Sequence, residues 1–542
     1  MMNGNGSPGT GSLPPTFPKI AGAENSISHR NRSTTSNTGH LKLLKPTSQG
    51  RQQIAAANLQ HKARAAANAA PAVGTAAGSQ HFTPPAVNQA DDVSPDIDKI
   101  VRKKKTMIIR MLFLAVVAWA STEKSCYWNA FCPYPMYSSK TPYDTVRGDI
   151  RDYPSPEGCQ AISVWSLHRH GNRNPSSRVT ADIKAVARLK DKIIQSFESG
   201  RSQMCSQDIE EFKKWKWNET LEESQSFLTG TGYEELFDIG KRLRKKYPHL
   251  LQGSDDKYYF RSTNEQRNVV SGMAFVHGLA EGTDLNLTVD GPWERDDIIR
   301  PYQNCDRYQV EVKGGQKLED ELDAYFRIVE FQMVKNNVQK RLGIDTQLSP
   351  KGVYSLYEIC RFYRSWTPTK QSPWCSVFSH QDLVVLEYRD YVRHYHLNGY
   401  GSWVNVHLGG PVVKDLYENF EAAVNGSGRN VVSYFTHDTV MEMTFCALGL
   451  FKDDAPIRAS ERNPDRLWKT RFIASFSSNL IAVLNSCQES GSQTYRVQFF
   501  INERETELCP ITGCTWKQFQ DNFHRFTKTN LDYCSINNTA VF

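Results

Sequence analysis

AISVWSLHRHGNRNP occupies residues 161–175. Its first seven residues, "AISVWSL", form an almost continuous apolar run, the pattern of a strand covered on both faces. Gly171 and Pro175 then break regular structure, so the segment after the strand reads as a loop at its end. Open α/β sheets place their ligands at such ends. The loop carries His168, Arg169, His170 and Arg173. Guanidinium forks match the oxygens of tetrahedral oxyanions. Nearby cations keep an imidazole neutral, and a neutral imidazole is a nucleophile. The combination suits phosphoryl transfer through a phosphohistidine. Read alone, His-x-His could ligate zinc, and strand-end arginines are ordinarily solvated. The added Gly-x-Arg-x-Pro favours the anion site.

Further strands are expected at "KYYFRS" (257–262), "NVVSYFT" (430–436), "SSNLIAVLNS" (477–486) and "TYRVQFFINE" (494–503). The last two are joined by "CQESGSQ", a connection suited to a hairpin. Between strands lie helical patterns at 231–251 and 266–282. A long amphipathic stretch over 319–343 ends at a Gly cap. Strands alternating with helices predict an α/β sheet flanked by helices. The helix-rich regions 183–255 and 306–400 are expected to form an inserted, mostly helical cap.

Two more strand ends bear polar groups. "YYFRSTNEQRNVV" places Arg261 where a strand ends, a third guanidinium for the same site. "VVSYFTHDTVMEM" ends in His437 and Asp438. A carboxylic acid there can protonate a leaving oxygen, and the histidine can hold a phosphoryl oxygen. Each pair is unremarkable alone. Three strand-end clusters in one chain point to one site.

Residues 1–106 hold 13 Lys and Arg against 5 Asp and Glu, so the chain's +7 net charge lies in that segment. The remainder is near neutral, which implies no bulk attraction to nucleic acid or to acidic membranes. The segment is rich in Gly, Ser, Asn, Ala and Pro and is expected to be a disordered basic extension. "MLFLAVVAWA", after a basic flank, reads as the core and A-x-A site of a signal peptide over 107–120, with cleavage before Ser121 and a body over 121–542. The apolar run is too short to span a bilayer. All 12 cysteines follow this site. In an exported chain they suggest disulfides, with Cys126–Cys132 and Cys509–Cys514 as the shortest loops. No C-x-x-C pair favours zinc, and no metal or other cofactor is expected. Acceptor motifs at Asn218, Asn286, Asn425 and Asn537 fit a glycosylated, secreted or endomembrane-lumenal protein that leaves the membrane once its signal is cleaved.

Arg169-His170-Gly171-x-Arg173-x-Pro175 resembles the signature of the histidine acid phosphatases. Arg261 and His437-Asp438 follow in that family's order. "CYWNAFCPYPMYSSKTPYD", "SPWCSVF" (372–378), "VLEYRDYVRHYHLNGYG" (385–401) and "ALGLFKDDAP" (447–456) are similar to the multiple inositol polyphosphate phosphatases. The likeness covers about residues 125–510. It implies a mixed central sheet with flanking helices and a helical cap. His170 is then the nucleophile, Arg169, Arg173, Arg261 and His437 bind phosphate, Asp438 is the proton donor, and no metal is needed. The implied substrate is a phosphorylated inositol. One departure stands out: those phosphatases usually carry His-Ala-Glu where this chain has His437-Asp438-Thr439, the pair of acid phosphatases and fungal-type phytases. The competing expectations are a general acid phosphatase acting on small esters such as 2,3-bisphosphoglycerate, and a secreted phosphate-ester binder without catalysis. Oligomeric state is left open.

Overall fold

The computed structural model describes residues 124–127, 137–370, 372–506, 508–510 and 512–537. The basic extension, the signal segment and Cys132 lie outside them, as does part of the "CYWNAFCPYPMYSSKTPYD" similarity (126–144).

Strand β1 (Cys159–Arg169) is the hub of a mixed sheet. It pairs in parallel with β3 (Val431–Thr436), which pairs in parallel with β2 (Tyr258–Ser262). On its other side β1 runs antiparallel to β4 (Asn479–Glu489), followed by β5 (Ser492–Ile501). Two short strands, β6 (Arg504–Glu505) and β7 (Cys514–Thr515), pair with β5. The β4–β5 connection is tighter than its seven loop-like residues suggest. Only Ser490 and Gly491 form the turn, both at positive φ (53° and 80°), the backbone that two-residue hairpins require.

Side chains alternate cleanly across the central strands. Val164, Phe260, Val431, Phe435, Ile481 and Val483 face one layer. Helices α1 (Gly230–Lys246) and α2 (Gln266–Ala280) cover it with Leu236, Ile239, Leu243, Phe275 and Leu279. Trp165, Leu167, Val432, Tyr434, Leu480 and Ala482 face the other, larger core. That core includes α3 (Pro350–Trp366), α4 (His380–Asn398) and α5 (Gly410–Val424). Burial on both faces explains why β1 and β3 read as continuous apolar runs rather than alternating ones. It also refines the cap: α1 lies inside the expected 183–255 region, yet its apolar stripe packs on the sheet.

The stretch 319–343 is two helices rather than one, Gln316–Tyr325 and Val329–Leu342. The chain turns at 326–328, where Tyr325, Phe326 and Phe331 gather with ring centroids 5.0–5.7 Å apart. This aromatic packing overrides helical propensity.

Among the described residues five disulfides tie the body together: Cys126–Cys205, Cys159–Cys487, Cys305–Cys534, Cys360–Cys375 and Cys509–Cys514. The short Cys509–Cys514 loop is as expected. Cys126 instead reaches Cys205, 79 residues on, beside a parallel bridge between Ser125 and Met204. Cys446 is a buried free thiol. Among the described residues no helix is long and apolar enough to cross a membrane.

Candidate active site

Parallel pairing brings the C-terminal ends of β1, β2 and β3 to one edge, with Arg169 opposite Thr436 and Ser262 opposite Phe435. His170 therefore emerges beside His437, their rings 5.6 Å apart.

The His170 loop is held by its backbone. His170 N–H donates to the Thr436 carbonyl (2.9 Å), and its own carbonyl accepts from Ser477 N–H (3.1 Å). Gly171 N–H donates to Ser271 Oγ (3.0 Å) and Asn172 N–H to Glu235 Oε2 (2.9 Å). The first turn of α1 presses directly on this loop. A Cβ on Gly171 would lie 2.3 Å from the Gly232 carbonyl oxygen, and one on Gly232 2.1 Å from that of Asn172. Both positions need glycine for this close approach.

His170 is buried. Its Nδ1 lies 2.9 Å from the Gly171 carbonyl oxygen. A carbonyl only accepts, so Nδ1 carries the proton and Nε2 the lone pair. Burial, then Arg169, Arg267, Arg173 and His437, hold its pKa well below the ordinary histidine value. That shift favours the neutral ring.

Arg169 is fully buried. Its Nη1 donates to the carbonyls of Ser139 (2.6 Å) and Ala474 (2.7 Å), its Nη2 lies 3.0 Å from Asp438 Oδ2, and its plane faces Phe476 at 4.8 Å. Arg173 donates from Nη1 to the Asn174 carbonyl (2.8 Å). Burial and the neighbouring Arg267 and Arg169 lower its pKa to about 9. Buried Nε donors of Arg169, Arg173 and Arg267 find no acceptor among the described residues. Such donors are costly unless an anion takes them.

Arg261 does not join them. A residue inside a strand projects onto a sheet face, not beyond the strand's end. Arg261 lies opposite Tyr434, and its guanidinium is buried in an ion pair with Asp296 (Nε–Oδ2 3.1 Å). It stacks 3.9 Å from the Trp293 ring centroid and 5.0 Å from that of Tyr434. It is not among the charges that act most strongly on His170. The third arginine is Arg267, on the first turn of α2, with Nη2 3.4 Å from His437 Nδ1. Its place one loop beyond β2 was the available signal.

His437 is the N-cap residue of α6 (Asp438–Ala447). Its Nε2 lies 3.1 Å from Glu265 Oε2, and Asn268 also approaches that nitrogen (3.3 Å). Asp438 opens the helix, where the dipole favours negative charge. Burial favours its neutral form, but Arg169, then His394 and Lys140, outweigh this and hold the carboxyl well below the usual range. Lys140, from the "SSKTPY" segment, was not singled out by sequence. Burial and the nearby Arg361, Arg173 and Arg169 lower its pKa to about 7. Its Nζ donates to Ser139 Oγ (2.9 Å) and it forms no ion pair among the described residues. Arg361, by contrast, is matched by Asp390 and Glu358.

His168 is a core residue. Its ring packs between Phe275 and Phe435, with Nε2 2.8 Å from Ser166 Oγ, and burial lowers its pKa to about 3. Asn218, Asn286, Asn425 and Asn537 are all exposed.

Residues 162–502 match the model of the histidine phosphatase superfamily (branch 2). The chain is 30% identical over 404 residues to multiple inositol polyphosphate phosphatase 1 of Drosophila melanogaster, covering 72% of this chain and 84% of the relative. It is 26% identical over 430 residues to a thiamine-repressible acid phosphatase of Schizosaccharomyces pombe, covering 75% and 89%. Among solved structures, the phytase from D. castellii superposes with a TM-score of 0.60 at 18% identity, covering 75% of this chain and 87% of that one. The chain belongs to branch 2 of the histidine phosphatase superfamily and is a hydrolase of the histidine acid phosphatase type, acting on phosphate esters.

Proposed function

We propose that the protein is a phosphomonoesterase that removes phosphate from inositol polyphosphates, inositol hexakisphosphate included, through a phosphohistidine. The observation that carries the chemistry is His170 itself: a buried, neutral imidazole with a free Nε2, surrounded by Arg169, Arg173 and Arg267. Nε2 attacks phosphorus while the bond to the inositol oxygen breaks. The arginines stabilise charge on the equatorial oxygens. The incoming phosphate offsets the cations that depress Asp438, so the carboxyl takes up a proton and passes it to the leaving oxygen. Water then attacks phosphorus, the P–N bond breaks, and Asp438 accepts the water's proton. Phosphate leaves and His170 is neutral again.

The preference for a polyanion rests on Lys140. It is a cation that forms no ion pair among the described residues, Asp390 and Asp438 acting on it only at longer range, beside the phosphate-binding arginines. A substrate bearing several phosphates satisfies it; a simple monoester does not. Similarity to the Drosophila inositol polyphosphate phosphatase supports the same substrate class. The His437-Asp438 pair and similarity to the yeast acid phosphatase favour a broader phosphatase acting on small esters. Rates on inositol hexakisphosphate and p-nitrophenyl phosphate, with positional analysis of the inositol products, separate the two. A kcat/KM no higher for the polyphosphate than for the monoester overturns the inositol assignment.

Export is part of the same reading. Five disulfides fit an oxidising compartment, and four exposed acceptor asparagines fit glycosylation in the secretory pathway. Glycosidase-sensitive mass on the secreted protein, with an N-terminus at Ser121, is the expected result.

A further inference from the structure

Glu235 lies in the second turn of α1, outside every motif considered above. It is a half-buried acid with no cationic ion-pair partner among the described residues, and desolvation of its carboxyl pushes its pKa up to about 7. Its Oε2 accepts two hydrogen bonds. One comes from Asn172 N–H (2.9 Å), two residues after His170. The other comes from Ser477 Oγ (2.7 Å). Ser477 in turn donates its N–H to the His170 carbonyl (3.1 Å). Ser477 adopts a left-handed backbone (φ 56°), a conformation that a non-glycine residue keeps only when its surroundings impose it. One carboxyl oxygen thus closes a loop of hydrogen bonds, Asn172 to Glu235 to Ser477 to His170, around the backbone that presents the imidazole. The rest of Asn172 is fastened too: its carbonyl accepts from Thr229 N–H (2.9 Å), and its Nδ2 donates to the Ser365 carbonyl (2.7 Å).

We propose that Glu235 is a positioning residue for the nucleophile, holding the 170–172 loop and the strained Ser477 so that His170 Nε2 stays in line with the scissile phosphate. This rests on His170 being the nucleophile. Glu235 acts as a hydrogen-bond acceptor and not as a charge. In the acid range it is protonated, and one oxygen still accepts both bonds. A glutamine oxygen can do the same, whereas leucine can accept neither.

The test compares Glu235→Gln, Glu235→Leu and Ser477→Ala with the wild type at acid pH. Turnover of p-nitrophenyl phosphate is scaled to the folded fraction, and the rate of phosphohistidine formation is measured by rapid quenching. A 1 Å misplacement of a reacting group costs about 100-fold. Glu235→Leu is therefore expected to lose about that factor in kcat and in the phosphorylation rate, with KM little changed. Ser477→Ala, which adds no volume, is expected to lose part of it and serves if the leucine variant does not fold. Glu235→Gln is expected to stay within about threefold of the wild type, since it keeps the acceptor geometry. Wild-type kcat in folded Glu235→Leu and Ser477→Ala overturns the proposal, as does a glutamine variant as impaired as the leucine one. A wild type that forms no phosphohistidine overturns instead the nucleophile assignment on which the proposal rests.

Discussion

Arg261 and Arg267 are six residues apart, and the structure places them differently: Arg267 beside His437, Arg261 in a buried ion pair with Asp296. Replacing Arg267 with methionine removes a guanidinium whose Nη2 is 3.4 Å from His437 Nδ1 and whose charge acts directly on His170. A preorganised donor to a developing oxyanion contributes about 100- to 1000-fold in kcat. Arg267→Met is expected to lose that much and to unfold near the wild-type temperature. Arg261→Met should do the reverse. It leaves Asp296 buried without its guanidinium (3.1 Å in the wild type) and strips the stack from Trp293. Removing one partner of a buried pair costs about 3–5 kcal/mol. Activity per folded molecule should stay near wild type, and adding Asp296→Asn should recover part of the stability. The assay is kcat/KM on p-nitrophenyl phosphate, paired with urea unfolding of the same preparations. A folded Arg261→Met with a 100-fold loss beside an active Arg267→Met would refute the assignment.

Asp438→Asn is expected to slow cleavage of an inositol phosphate by about 100- to 10,000-fold, because the leaving alkoxide needs a proton. It should spare p-nitrophenyl phosphate, whose leaving group needs none; equal losses on both would contradict a donor role. Lys140→Met should lower kcat/KM for inositol hexakisphosphate by about 10- to 100-fold, the worth of a charge-assisted hydrogen bond, and leave the monoester near wild type. With its pKa lowered to about 7, Lys140 is charged below that pH and loses its proton above it. Polyphosphate kcat/KM should thus fall as pH rises through 7 and extend to higher pH in Lys140→Arg; an unchanged alkaline limb would count against this. Losing the Cys159–Cys487 bridge should cost about 2–5 kcal/mol in urea unfolding. The bridge joins the start of β1 to β4, roughly 36 Å along the strand from His170, so turnover of the folded variant should not change.

The central strands were legible because burial on both faces writes an almost continuous apolar run into 161–167 and 430–436. The site was legible where chemistry and strand ends coincide, at Arg169-His170-Gly171-x-Arg173 and His437-Asp438. Arg261 misled because the end of an apolar run does not tell which way the last side chains project. The parallel register with Tyr434 decides that, and it belongs to the sheet. Lys140 and Glu235 carried no local signal. A lone lysine in a loop and a glutamate on an amphipathic helix look like solvated residues until folding brings Ser139 to Arg169, and α1 to Asn172. The Cys126–Cys205 pairing depends likewise on a partner distant in sequence.

The claim on which the rest depends is that His170 carries the phosphoryl group. Rapid acid-free quenching with labelled substrate, followed by peptide mapping, tests it directly. A burst approaching about one phosphate per chain, acid-labile and located on His170, is the predicted result. His170→Ala should show neither burst nor turnover. Labelled enzyme or undiminished turnover in His170→Ala would contradict the account.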